Sequence, residues 1–138
     1  MQLTDTLERD FNAEFDRLLT GSGDGPVGLA VSGGGDSMAL LALAGVWAKT
    51  RQRPVSVVSV DHGLRSEAAD EIALVKDLCD RLGCRHCVVR WSGWDGAGNL
   101  QDQARQARKR LIGGWAAENG IAVVATGHTL DDQAETFL

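Results

Sequence analysis

The stretch AVSGGGDSM, residues 30–38, overlaps the end of an apolar run at 27–31 and leads into a second apolar stretch that extends to residue 49. It predicts a glycine-rich loop between a buried strand and a helix. Consecutive glycines leave no Cβ in the way of a polyphosphate, and the first turn of the helix adds free amides and partial positive charge. The stretch therefore favours a phosphate-binding loop, although a glycine-rich turn without a ligand fits the same residues.

Two better-known glycine loops do not match this stretch. A Walker A loop needs a lysine after its last glycine, whereas Asp36 and Ser37 follow here. The dinucleotide fingerprint needs a third, spaced glycine, whereas the chain has Met38. The loop therefore belongs to neither of these classes of nucleotide-binding protein.

Strand and helix patterns alternate along the chain. Apolar runs predict strands at 27–31, 55–60, 85–91 and 121–126. Apolar spacings of three and four residues predict helices at 4–19, 37–49, 66–82 and 99–118, and a last one from residue 130 onward. This alternation predicts an α/β fold with a doubly wound, Rossmann-like parallel sheet. Ligands of such sheets bind beyond the carboxyl ends of the strands, which are followed here by segments 32–37, 61–65, 92–98 and 127–132.

Local signals predict several helix ends. Asn99 and Asp102 resemble a capping pair at the start of the fourth helix. Gly83 and Gly120 each follow a helical pattern directly, and glycine at that position commonly ends a helix.

Composition indicates one domain over residues 1–138. The 14 basic and 19 acidic residues give a net charge of -5, and 43% of the chain is hydrophobic, so no broad basic surface for nucleic acid is expected. Residues 1–19 mix charged and apolar side chains, which fits neither a signal peptide nor a membrane span. A cytoplasmic location is the expectation that follows.

The three cysteines raise the question of a metal or redox site. Cys84 and Cys87 have C-x-x-C spacing but lie in a predicted strand, where residues three apart point to opposite faces. A second such pair is missing from the sequence, so a four-ligand metal site is disfavoured. Cys79 fits the inner stripe of a helix.

Acidic residues follow two of the predicted strands. Asp36 lies beside the glycines, where a carboxylate next to phosphate is disfavoured unless a cation such as Mg²⁺ binds with the phosphates; an ordinary first-turn acid is the alternative. Asp131, Asp132 and Glu135 would crowd one face of the last predicted helix. That cluster suits a divalent metal or an ammonium group, although first-turn acids behind a Thr129 cap fit as well.

Basic residues near these ends have two interpretations. Arg105 and Arg108 share a predicted helix face, which is either solvated or able to offset charge on a phosphate. Arg65 is a similar phosphate candidate, and His62 is either structural or in contact with a nucleotide base.

Four motifs together resemble a known family. SGGGDS at 32–37 is similar to the signature of PP-loop ATP pyrophosphatases. Together with DHGLR at 61–65, NLQDQARQAR at 99–108 and GHTLDDQAET at 127–136, it resembles the N-terminal catalytic domain of tRNA(Ile)-lysidine synthetases. The resemblance implies that ATP adenylates C2 of the wobble cytidine (position 34) in tRNA(Ile) with a CAU anticodon. L-lysine then displaces AMP to form lysidine, and pyrophosphate is the other product.

The resemblance also implies site residues. Those expected to bind ATP are Ser32, Gly33, Gly34, Gly35, Asp36, Ser37, Asp61, His62, Arg65, Gly127 and His128. Those expected to take part in catalysis are Asp36, Arg108, Asp132 and Glu135, and Asp36 and Asp132 are expected to hold Mg²⁺. Lys109 and Thr129 depart from the family, which often has an aromatic residue and a histidine there.

The length of the chain adds expectations of its own. It ends at Leu138 inside the last predicted helix, so the sheet is expected to be truncated before the family's fifth strand and to have an open edge. A second copy, forming a homodimer, is one way to cover that edge. A PP-loop tRNA thiolation enzyme and a non-catalytic ATP-binding fragment remain alternative interpretations of the chain.

Overall fold

One mixed sheet organises the computed structural model of this chain. The structure describes residues 3–21, 23, 25–31, 35–61, 68–91, 99–126 and 134–136. The helices in these ranges are α1 (Leu3–Leu18), α2 (Gly35–Arg51), α3 (Ala68–Leu82) and α4 (Leu100–Glu118). The strands are β1 (Val27–Ala30), β2 (Val55–Asp61), β3 (Arg85–Arg90), β4 (Val123–Thr126) and β5 (Ala134–Thr136).

The strand order confirms the predicted doubly wound sheet. The strands lie in the order β3-β2-β1-β4-β5, and β1 pairs in parallel with both β2 and β4. The chain moves outward from β1 to β2 and β3, and then crosses back to place β4 on the other side of β1. The topological switch point therefore lies between the carboxyl ends of β1 and β4.

Alternate residues of the strands face two separate cores. On one face, α1, α2 and α3 cover Leu29, Val57 and neighbouring apolar side chains. On the other face, α4 packs Ile112, Trp115 and Ala116 against the sheet. Helices on both faces explain why β1 is buried along its whole length.

Gly28 allows α4 to approach the sheet closely. A Cβ built on this residue would lie 2.9 Å from Cγ2 of Val124, 3.0 Å from Cγ2 of Ile121 and 3.2 Å from the Trp115 ring. Because such distances are shorter than ordinary carbon contacts, the packing of Trp115 over β1 depends on a residue without a side chain.

The predicted helix ends are confirmed. Asn99 starts α4, since its Oδ1 accepts a hydrogen bond from the Asp102 amide at 3.3 Å. Gly83 ends α3 with φ of +74°, and Gly120 ends α4 with φ of +67°. After Gly120 the Ile121 amide donates to Ala116 O at 2.9 Å, so Ile121 closes the helix cap instead of starting β4.

The structure corrects two sequence-based expectations at the outer edge of β4. Residues 134–136 form β5, which pairs antiparallel with β4, whereas a helix was expected there. The edge of β4 is therefore paired over Val123–Ala125 and is not open. Unpaired strand edges attract any extended segment that can complete their hydrogen bonds, whereas a short isolated helix is costly to nucleate.

The described helices also bear on membrane insertion. Within those ranges, helices of sufficient length and apolarity to cross a lipid bilayer are absent.

Candidate functional site

The carboxyl ends of β1 and β4 define the candidate site. Ala30 and Thr126, the last residues of these strands, are register partners. The chain continues from them into the two predicted ligand segments, 32–37 and 127–132. The two segments therefore leave the sheet from neighbouring positions.

The first turn of α2 follows the end of β1 closely. The helix begins at Gly35 and not at Ser37 as expected, so Gly35 and Asp36 are helical residues and not loop residues. Early acidic and hydroxyl side chains favour this earlier start, because they suit the positive end of a helix. Ser37 is 7% exposed. The 17-residue helix directs the positive end of its dipole toward the carboxyl edge of the sheet, where an anion would be stabilised.

Asp61 is held at the same edge by the neighbouring strands. It is the last residue of β2 and the register partner of Arg90 in β3. Its Oδ2 lies 3.9 Å from Arg90 Nε, and its carbonyl accepts a hydrogen bond from the Trp91 amide at 2.9 Å. The Arg90 side chain is 80% exposed, so this ion pair contributes little to stability. The Asp61 carboxylate is 26% exposed.

Arg108 lies on α4, on the opposite face of the sheet from α2. Its side chain is half-buried, whereas Arg105 and Lys109 are exposed. A half-buried arginine keeps its charge, and its guanidinium has the planar, bidentate geometry that suits a phosphate or carboxylate. Burial therefore distinguishes Arg108 from the other basic residues of α4, a difference that helical spacing did not reveal.

Glu135 is placed differently from the sequence expectation. It lies in β5 as the register partner of Val124. Glu135 is therefore not on a helical face shared with Asp131 and Asp132, as was expected. Val124 is two residues before the end of β4, which puts the Glu135 backbone roughly 7 Å from the carboxyl edge of the sheet.

The remaining predicted residues fall outside the described part of the chain. They are Ser32, Gly33, Gly34, His62, Arg65, Gly127, His128 and Asp132. The side chain of Asp36 is likewise not described, although its backbone belongs to α2.

The donor chemistry at this edge fits Mg²⁺. This ion favours one or two carboxylates together with phosphate oxygens and water, and does not need an all-protein cage. Asp36 is the second residue of α2, where phosphates are expected, and the sequence offers Asp132 as a second carboxylate. Clusters of three or more metal-ligating side chains are absent from the described residues, which do not include the side chains of Asp36 and Asp132.

The cysteines are poorly suited to chemistry. Cys79 is fully buried in the core as predicted, and burial raises the pKa of its thiol to about 12. Burial also raises the pKa of the Cys84 thiol. Cys87 is exposed on β3. A thiol with a raised pKa holds little thiolate at neutral pH, so Cys79 and Cys84 are weak nucleophiles and weak metal ligands.

The sequence did not predict a hydrogen-bonded pair on β2 and β3, formed by Ser59 and His86. The Ser59 hydroxyl donates to Val31 O at 2.9 Å, and Ser59 Oγ lies 2.9 Å from Nε2 of His86. The available signal was that Ser59, one of two serines in the run 55–60, lies in a predicted buried strand, since a buried hydroxyl needs a partner.

Comparison with known proteins identifies the family of this chain. The profile of the PP-loop domain family, a family of ATP-binding domains, matches residues 7–138. The chain belongs to the PP-loop domain family. This PP-loop domain is 47% identical over 136 residues to the tRNA(Ile)-lysidine synthase of Ruegeria pomeroyi, covering 99% of the chain and 30% of the relative. It is 50% identical over 112 residues to the enzyme of the same name from Rhodopseudomonas palustris, covering 80% of the chain and 32% of the relative.

Solved structures share the fold of this PP-loop domain. The U34-tRNA thiolase NcsA from Methanococcus maripaludis matches with a TM-score of 0.73 at 20% identity, over 89% of this chain and 45% of that one. An NH3-dependent NAD synthetase from Campylobacter jejuni matches with a TM-score of 0.63 at 18% identity, over 90% and 56%. The PP-loop domain spans about a third of the length of the curated relatives named above.

Proposed function

We propose that residues 1–138 form one ATP-binding catalytic domain of a tRNA(Ile)-lysidine synthase. The observation that carries the proposal is the 47% identity to the Ruegeria pomeroyi enzyme over 99% of the chain. It is supported by the start of α2 at the switch point of the sheet, where a polyphosphate would meet the positive end of the helix dipole. The partners of this activity are ATP, L-lysine and tRNA(Ile) with a CAU anticodon, and the location is cytoplasmic.

The first half of the proposed reaction transfers AMP to the tRNA. The C2 position of cytidine 34 is adenylated, and the bond between the α and β phosphates of ATP breaks to release pyrophosphate. The glycines and the first turn of α2 hold the phosphates, and Arg108 offsets negative charge in the transition state. Asp36 and Asp132 would hold Mg²⁺, which would neutralise charge on the phosphate oxygens.

The second half attaches lysine. The ε-amine attacks C2, the bond from C2 to the AMP oxygen breaks, and AMP leaves. Only a neutral amine is nucleophilic, so the ammonium must first lose a proton to a nearby base. We assign the binding of the ammonium to Asp132 and Glu135. This assignment requires the Glu135 side chain to reach the carboxyl edge of the sheet from β5. A Glu135→Gln variant, which removes only the carboxylate charge, tests it directly.

A tRNA thiolation enzyme is the second candidate, because NcsA shares the fold. Such an enzyme needs reactive cysteines near the nucleotide, and the cysteines of this chain do not suit that role. Cys79 is inaccessible, burial raises the pKa of both Cys79 and Cys84, and Cys87 lies on the edge strand β3.

The deciding experiment measures incorporation of labelled lysine into a tRNA(Ile) transcript with a CAU anticodon, in the presence of Mg-ATP. Asp36→Ala should abolish incorporation, because it removes the carboxylate proposed to hold the metal. Asp70→Ala is the matched control, since Asp70 is an exposed aspartate in the first turn of α3. This control should keep full incorporation.

Two outcomes would contradict the proposal. Equal activity of the Asp36→Ala and Asp70→Ala variants would exclude the assigned role of Asp36. Intact ATP binding without lysine incorporation by the unaltered chain would reduce the chain to an ATP-binding fragment.

A further inference from the structure

Ser59 is a buried polar residue in the middle of an apolar strand. Its side chain is 2% exposed, and its neighbours Val57 and Val58 in β2 are fully buried. A buried hydroxyl costs stability unless hydrogen bonds replace the lost water. Ser59 meets that need through two partners, Val31 directly after β1 and His86 on β3.

The directions of these two hydrogen bonds can be assigned. A serine hydroxyl has one proton, and that proton is donated to Val31 O. Ser59 Oγ must therefore accept the second bond from an Nε2–H of His86. The result is a relay that runs from β3, through β2, to the residue after β1.

Val31 is the point where β1 leads into the phosphate-binding segment. Its amide donates to Val58 O at 2.9 Å, and its carbonyl accepts the Ser59 hydroxyl. Both backbone polar groups of Val31 are thus held by β2. Because the peptide plane is rigid, fixing the Val31 carbonyl also restricts the direction in which the chain leaves β1.

We propose that Ser59 and His86 are positioning residues that orient the entry into the phosphate-binding loop. Neither residue touches the nucleotide in this proposal; Ser59 acts through Val31, and His86 acts through Ser59. The inference rests on the proposed ATP binding of this domain and adds the residues that pre-organise it.

The first test measures the affinity for Mg-ATP by titration calorimetry. Ser59→Ala should weaken binding by about tenfold, because it leaves the Val31 carbonyl and His86 Nε2 without the hydroxyl that they share. His86→Leu should weaken binding by a similar factor. His86→Gln should restore near-normal affinity, because the glutamine amide supplies an N–H donor near the position of Nε2.

A matched control separates positioning from general loss of stability. Val75→Ala truncates a fully buried side chain of α3 that lies outside the relay. It should lower stability at least as much as Ser59→Ala does, and yet leave the affinity for ATP unchanged. Equal affinities for the Ser59→Ala, His86→Leu and Val75→Ala variants would overturn the inference. His86 is only partly buried on an edge strand, so its variants remain informative if Ser59→Ala does not fold.

A second measurement does not depend on ATP. Amide hydrogen exchange of residues 31–36 should accelerate severalfold in Ser59→Ala and His86→Leu, and should stay at the normal rate in His86→Gln and Val75→Ala. If the unaltered chain fails to bind ATP, the proposed function is wrong, and the exchange rates alone decide the positioning role. Unchanged exchange in both Ser59→Ala and His86→Leu would overturn it.

Discussion

At the scale of single residues, Gly28 shows how one missing side chain sets the packing of a helix. We expect Gly28→Ala to lower the free energy of unfolding by about 1–3 kcal/mol, because the new Cβ would press on Val124, Ile121 and Trp115. Urea denaturation measures the effect. Gly114→Ala is the matched control: Gly114 is exposed in α4 with open space around it, so alanine should stabilise the chain by about 1 kcal/mol. Similar shifts for both variants would contradict this packing.

At the scale of elements, the backbone is strained where α2 ends. Gln52 has φ of +54°, and the following Arg53 amide donates to Ala48 O at 3.0 Å, as in a helix cap that normally uses glycine. We expect Gln52→Gly to raise the free energy of unfolding by about 0.5–1 kcal/mol, since glycine adopts this conformation without steric cost. Gln52→Ala keeps a Cβ and should change stability little. Thermal and urea denaturation of both variants check this, and a gain in the alanine variant alone would exclude strain as the cause.

At the scale of the whole molecule, His86 links stability to pH. Burial lowers the pKa of His86 below its ordinary value of 6.5; Lys76 on α3 adds to this effect and Asp80 opposes it. The unfolded chain therefore binds a proton at this residue more readily than the folded chain does, and its contribution to stability is lost as the pH falls below about 6.5. His86→Gln should flatten the fall in the free energy of unfolding between about pH 7 and pH 5. Parallel curves for the two proteins would show that His86 does not contribute.

A feature of the fold or site could be predicted from the sequence when its interacting residues lie close together along the chain. The glycines at 83 and 120 and the Asn99 cap act within one helical turn, and the helix ends that they predict are confirmed. The segment containing Glu135 was expected to be helical, but it pairs with β4 instead. The choice depends on a strand edge presented by a distant part of the chain, so local propensity could not predict it.

The sequence by itself determined the alternation of strands and helices, the glycine-rich stretch at 32–35 and the family resemblance, because each depends on neighbouring residues or on periodicity. Only the tertiary structure decided that β1 lies between β2 and β4 and that the relay exists. Ser59 is 28 residues from Val31 and 27 from His86, so their hydrogen bonds require strands that the chain brings together only by folding. Long-range hydrogen bonds depend on the relative positions of whole elements, and the packing of helices on both faces of the sheet sets those positions.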